Sequence, residues 1–446
     1  MSEASARQIP PGAWRAAHDA AARLISPLQR VLAIEATSGL LLVGVAVIAL
    51  VWANSPWASS YAYLWHIELG VRFDSWQFTR PLHFWVNDGL MTWFFFVVGL
   101  EIRREAYEGE LAGLRRAALP AAAAIGGILV PAAIYAALNV GRAGAAGWAV
   151  PMATDIAFAI GVLTLLGPRV HPSLRMLLLA LAVIDDVAAI LVIAIFYTDG
   201  IALYGLGIAA AGVAGVLVMR MIGLRLPIAY LVPGLAVWIG LYRAGVHPTL
   251  AGVLLGLMTP VRPWFGRSGF AAATQAHLDA MPEAGDRDAL FERLAGVERA
   301  RREAVSPAER LIHVLHPWVA FAIMPLFALA NAGVSLGAAS LSGDGLYVFL
   351  GIVLGLVVGK PLGVVVATWI ATRTGVATRP DEIDGHGIVL VGAVAGIGFT
   401  MSLFVAQLAF PAGPLLETAK LAILVGSAAA IVVGLGYGLL TTRRRD

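Results

Sequence analysis

The chain has 446 residues, 59% of them hydrophobic and 13% charged, with a formal net charge of +3 and no cysteine. Soluble domains average about 45–50% apolar and about 25% charged residues, so this composition excludes a soluble enzyme and a conventional nucleic-acid binder. The missing thiols exclude disulfides and thiolate metal sites, and 49 glycines with 23 prolines suit closely packed, sometimes broken membrane helices.

Residues 1–36 form a more polar segment, helix-prone from Ala16 and amphipathic through Leu24, Ile25, Leu28 and Val31. It lacks the apolar core and cleavage site of a signal peptide. A bilayer core about 30 Å thick takes about 20 apolar residues as helix. On that measure the first group of spans, within 37–260, falls near 37–54, 82–101, 117–139, 147–167, 176–197, 201–219, 226–242 and 247–260. The last four, within 316–440, fall near 316–335, 345–370, 387–410 and 415–439. The predicted fold is an all-α polytopic membrane protein of about twelve transmembrane helices.

Between the two groups, 261–315 carries as many acids as bases and reads as a solvated loop with helical pieces; 441–446 is a short tail. The loop 55–81 alternates apolar and polar residues through Trp65, Ile67, Leu69, Val71 and Phe73, with Gly70 at a turn, and predicts a β-hairpin. Of the 31 Lys and Arg residues, 25 lie on the N-terminal segment, the tail and alternate loops, and only four on the remaining loops. That asymmetry puts both termini in the cytoplasm and the hairpin outside.

Four charges lie where lipid should forbid them: Asp155 in the fourth span, Asp185 and Asp186 in the fifth, and Lys360 in the tenth. Each costs roughly 2.5–3.5 kcal/mol at a helix centre, and such groups mark ion or proton paths. One Asp–Lys pair could merely neutralise itself between two helices, but three acids against one lysine leave carboxylates over. Adjacent residues on a helix point about 100° apart, so one of Asp185 and Asp186 can join Asp155 and a cation while the other faces Lys360. Two carboxylates, the Thr154 hydroxyl and exposed carbonyls suit a hard cation such as Na+ or Li+, for which protons would compete.

The backbone around these groups predicts interruptions. Pro151 precedes Asp155, and Gly392, Gly396 and Gly398 crowd ahead of Thr400 and Ser402 in the eleventh span. Spans four and eleven are the middle members of 3–5 and 10–12. Broken helices at corresponding places of inverted-topology repeats point to a transporter's central ion site.

The strings Pro151-Met152-Ala153-Thr154-Asp155-Ile156-Ala157-Phe158-Ala159, Val183-Ile184-Asp185-Asp186, Gly359-Lys360-Pro361-Leu362-Gly363 and Gly396-Ile397-Gly398-Phe399-Thr400-Met401 closely resemble the NhaA-type Na+/H+ antiporters. So do Phe96-Val97-Val98-Gly99-Leu100-Glu101 with Arg104 and Glu105, and His316-Pro317-Trp318-Val319. The similarity runs from about residue 27 to 440. It implies electrogenic exchange of Na+ or Li+ outward for H+ inward across a bacterial inner membrane, without a cofactor, by a homodimer joined through the outer hairpin. It also implies that Asp155 and Asp186 carry the cation and protons, that Asp185 and Thr154 lie beside them, and that Lys360 pairs with one of the acids, for which helix direction favours Asp185. Regulation by pH would involve Glu101, Arg104, Glu105, His247, His313 and His316, with Ile312 standing where well-studied members have glutamate.

Among rival functions, an intramembrane aspartyl protease lacks its Gly-x-Gly-Asp context, because Phe399 follows Gly396-Ile397-Gly398. A channel lacks a tandem selectivity loop or acidic ring. A sodium-coupled solute symporter is the runner-up, since it could use the same broken helices. Zinc, nucleotide and phosphate motifs are absent.

Overall fold

The computed structural model describes residues 35–441 apart from 74–75, 110–111, 199, 225–226 and 282–285. The predicted segment 1–36 and tail 441–446 therefore lie almost wholly outside the described residues. Helix dominates because a bilayer offers no water to unpaired amides, and each crossing must satisfy its backbone within itself.

Helix α1 (Glu35–Ala53) bends through 110° into α2 (Ala58–His66). A two-stranded antiparallel hairpin follows, β1 (Glu68–Phe73) against β2 (Trp76–Pro81), with Glu68 opposite Pro81 and Phe73 opposite Trp76. The hairpin is thus narrower than predicted. Trp65 belongs to α2, and Gly70 lies within a strand opposite Thr79, where its missing side chain admits the backbone of Phe78 and Thr79. Leu82–Phe84 and a wide π turn, Trp85–Leu90, lead into α3 (Met91–Glu108).

Next come α4 (Leu114–Asn139), a 3-10 segment at Ala145–Met152, α5 (Ile156–Leu165), α6 (Pro172–Phe196), α7 (Leu203–Met221), α8 (Leu231–Ala244) and the short α9 (Leu250–Met258). Helices α10 (Arg267–Asp279) and α11 (Arg287–Ala304) pack on each other in the connecting stretch. Helix α12 (Pro307–Trp318) continues through a π turn into α13 (Met324–Asn331), and α14 (Asp344–Leu354) continues likewise into α15 (Lys360–Arg373). The chain closes with α16 (Gly385–Ala395), α17 (Phe399–Ala409) and α18 (Pro414–Thr441).

Among the described residues, eight helices are long and apolar enough to cross a membrane, or ten if each of two bent pairs is one crossing. Ten of the twelve predicted segments coincide with these. The segment at 82–101 is helical, but it carries Asn87, Asp88 and Glu101, and its helix runs on through Arg103, Arg104, Glu105 and Glu108, which dilute the apolar character of the whole. The segment at 247–260 holds only the nine-residue α9, about 14 Å of helix at about 1.5 Å per residue. The connecting stretch also ends earlier than 315. Ser306 Oγ accepts the Glu309 amide at 3.2 Å and Pro307 takes the first helical position, so α12 starts at the cap rather than at the apolar run.

The short α9 is held by close backbone approach to α3. A Cβ on Gly256 would stand 2.6 Å from the Phe96 carbonyl oxygen, and one on Gly99 2.6 Å from that of Val253. Gly252 and Gly256, four apart, make the small-residue stripe that such crossings need. Gly256→Leu is expected to lower the melting temperature of purified protein clearly, since overpacking costs about 1–3 kcal/mol; an unchanged transition would mean that the helices separate without penalty.

Candidate functional site

The 3-10 segment stops at Met152, residues 153–155 run without helix, and α5 resumes at Ile156. On the other strand of the crossing, α16 stops at Ala395 and α17 resumes at Phe399, with a 48° bend between them. The two breaks touch: the Asp155 amide donates to the Ile397 carbonyl at 2.7 Å. Gly398 allows this contact, because a Cβ there would come within 3.0 Å of the Ala153 carbonyl oxygen.

Four helix ends therefore meet in the protein interior, and each finds a partner of suitable sign. Asp155 caps its own helix by accepting the Phe158 amide at 3.2 Å through Oδ1. Its Oδ2 accepts the Thr400 amide at 3.2 Å and the Thr400 hydroxyl, so it caps α17 as well. Two partly positive N-termini thus face one carboxylate. At the opposite polarity, Lys360 Nζ donates to the Met152 carbonyl at the end of the 3-10 segment, and Thr154 Oγ1 lies 2.9 Å from the Ala395 carbonyl oxygen. Ser402 Oγ donates to the Val150 carbonyl at 2.8 Å and ties the crossing further.

Helix α6 brings the acid pair to this point. Lys360 Nζ lies 2.5 Å from Asp185 Oδ2, and the Thr154 hydroxyl reaches the same oxygen at 2.7 Å. The lysine stem runs past Gly127 of α4, whose missing side chain leaves it room. Thr154 carries a single hydroxyl proton and faces two acceptors, so the Asp185 oxygen and the Ala395 carbonyl cannot both hold it fully. Asp185 Oδ1 is buried without a hydrogen-bond partner.

Asp186 is different. It forms no hydrogen bond or ion pair among the described residues, and its charged surroundings are mostly of like sign: Asp185, Glu101 and Asp155 against Lys360. Thr154, Asp155, Asp185, Asp186 and Lys360 are each at most 3% exposed. Among the described residues no three His, Cys, Asp or Glu side chains form a metal-holding group; two carboxylates with neutral oxygens are the available donor set. Such a set can take up a hard cation or protons, while the Lys360–Asp185 pair braces the crossing.

The remaining candidate residues are spread out. Glu101 lies on α3 within electrostatic reach of Asp186, and Arg104 Nη2 is 3.6 Å from Glu105 Oε1 one turn further. His313 and His316 are exposed on α12, and Ile312 is buried against Leu100, Val261 and Ala308. His247 lies elsewhere, its Nε2 at 2.7 Å from the Tyr197 carbonyl oxygen after α6. Asp88 offers its backbone carbonyl to the Thr92 hydroxyl and the Trp238 indole. Glu417 and Lys420 form an i,i+3 pair at 3.1 Å on α18. Thr400 emerges as an Asp155 partner that the sequence placed only beside a glycine-rich break. The carbonyls of Met152, Ala395 and Ile397 carry no residue signature at all.

A family model described as Na+/H+ antiporter 1 matches residues 29–437. The chain is 53% identical over 448 residues to Na(+)/H(+) antiporter NhaA 2 of Sorangium cellulosum, covering 99% of this chain and 96% of the relative. It is 54% identical over 443 residues to the protein of the same name from Myxococcus xanthus, covering 98% and 94%. Over 433 residues it is 49% identical to Na(+)/H(+) antiporter NhaA of Bordetella petrii, covering 95% and 92%.

Proposed function

The chain belongs to the Na+/H+ antiporter 1 family, and from that premise we propose that it exchanges Na+ or Li+ outward for H+ inward in a bacterial inner membrane. The observation that carries this reading is Asp186: a buried carboxylate without a hydrogen-bond or ion-pair partner among the described residues, next to a second acid already paired with Lys360. Asp186 and Asp155 take the cation, Thr154 and nearby carbonyls complete its oxygen shell, and the same acids take protons when it leaves. A site that is either cation-loaded or protonated before it reorients couples the two flows without a separate gate. Exchanging more than one proton for each cation makes the cycle electrogenic.

The architecture proposed with it is twelve membrane segments, the 82–108 helix and short α9 included, arranged as inverted repeats. The interrupted 145–165 and 385–409 segments would be corresponding members of those repeats. Both termini lie in the cytoplasm, the hairpin lies outside and joins two copies, and Glu101, Arg104, Glu105, His247, His313 and His316 adjust the response to pH.

The test uses everted membrane vesicles with an acid interior and a pH-sensitive dye. Addition of NaCl or LiCl, with no organic solute, should release protons, and KCl should not. No response from correctly inserted protein would overturn the exchanger reading. Because proton and cation share carboxylates, the apparent KM for Na+ should rise as pH falls, with maximal velocity at saturating Na+ less affected. A KM independent of pH would mean separate sites.

A further inference from the structure

Seven residues beyond Thr400, two turns along α17 and on nearly the same face, Gln407 enters a closed ring of carboxamides. Its Oε1 accepts from Asn87 Nδ2, its Nε2 donates to Asn331 Oδ1, and Asn331 Nδ2 donates to Asn87 Oδ1 at 2.9 Å. Each amide thus donates to the next around the triangle. His83 Nε2 lies 3.0 Å from Asn331 Oδ1 on the hairpin side. Asn331 also donates to the Phe327 carbonyl at 2.8 Å, which fixes it to α13.

Helices α17 and α13, which carry Gln407 and Asn331, and α3, into which the π turn bearing Asn87 leads, also supply an aromatic layer, and along α17 its Phe404 lies between Thr400 and Gln407. Phe404 of α17 sits 5.2 Å from Phe95 of α3 and 6.2 Å from Phe327 of α13, centroid to centroid. All three phenylalanines are buried. A buried, apolar layer of this kind is closed to a hydrated cation, while amide oxygens beyond it are ligands that a hard cation accepts. The layer is closed only while α3, α13 and α17 stay together at this level, and hydrogen bonds in low dielectric are directional ties that hold them so.

We propose that the Asn87–Asn331–Gln407 ring is the latch holding the aromatic layer shut at the hairpin end of the cargo path, and that it opens once in each exchange cycle. Gln407 is then a positioning residue: it acts through α17 on Thr400 and so on Asp155. The inference rests on the exchanger reading above, because without alternating access a latch has no cycle to serve.

The chain has no cysteine, so Asn87→Cys/Gln407→Cys can be joined across the ring by a short bis-thiosulfonate linker in proteoliposomes. Linking should reduce Na+-driven proton movement at least tenfold, and a reductant should restore it. Linked protein that exchanges as fast as its reduced form overturns the latch. Wild-type protein treated with the same reagent is the control: if it never exchanges, the exchanger reading fails instead. Should the double variant not fold, Ala406→Cys is labelled from the hairpin side with an impermeant thiol reagent, with and without Gln407→Leu. At least fivefold faster labelling with the leucine present supports the latch, and equal rates overturn it.

Discussion

Asp186→Asn is expected to reduce Na+-driven proton exchange at least 100-fold while leaving the melting temperature unchanged or raised. The two halves of that expectation have one cause. Asp186 bonds to no described residue and sits among like charges, so removing its charge relieves repulsion and breaks nothing. For a bound cation the same substitution removes a full charge. At about 4 Å and an effective dielectric of about 20, such a charge is worth about 4 kcal/mol, or nearly three powers of ten at about 1.4 kcal/mol each. Flux in vesicles and calorimetric Na+ binding should fall together. Retention of flux within a few-fold would transfer the cation to Asp155 and Asp185. A collapse in melting temperature would mean that the Asp186 carboxylate holds the fold together.

The residues that carry charge into the membrane are legible in the sequence, because lipid makes each one expensive and so conspicuous. Pro151 and the glycines at 396 and 398 likewise mark the places where helix gives out, whereas Gly392 stays within α16. What the sequence left open was the choice between neighbours. Helix direction separates Asp185 from Asp186 and favours Asp185 as the partner of Lys360 without fixing it; the crossing of α6 with α15 makes that choice, through a 2.5 Å contact to Asp185.

Neutral groups were harder to see. Asn87, Asn331 and Gln407 carry no insertion penalty as large as a charge, and Asn87 stands beside the more conspicuous Asp88. Their ring exists only because three distant elements converge. Span ends failed for a different reason: hydropathy starts the ninth span near 316, but the Ser306 cap starts its helix nine residues earlier. Similarly, alternation through Trp65 suggested strand where a one-sided helix, α2, buries Tyr61 and Trp65. The pH-response candidates rest on resemblance, and the structure gives their places: His247 lies by Tyr197 and His313 on the exposed face of α12.

Lys360→Met should be the most destabilising single change at the site, and the reason can be isolated by a second substitution. The lysine and Asp185 side chains are both 0% exposed. Removing one partner of such a pair leaves a buried charge uncompensated and costs about 3–5 kcal/mol. Thr154 would remain on Asp185 Oδ2, but one hydroxyl does not replace an ammonium, and the Met152 carbonyl at the end of the 3-10 segment would lose its donor. In Lys360→Met/Asp185→Asn both charges are gone, and replacing a buried pair by neutral groups is often close to neutral in stability. Thermal unfolding in detergent should therefore show a large drop for the single variant and recovery of most of it in the double. Equal drops in both would assign the loss to the Met152 contact rather than to the ion pair. Exchange should stay impaired in the double variant despite its recovered stability, because the paired acid and base that brace Thr154 at the crossing are absent. Normal exchange there would remove Lys360 and Asp185 from the transport cycle and leave them a structural role alone.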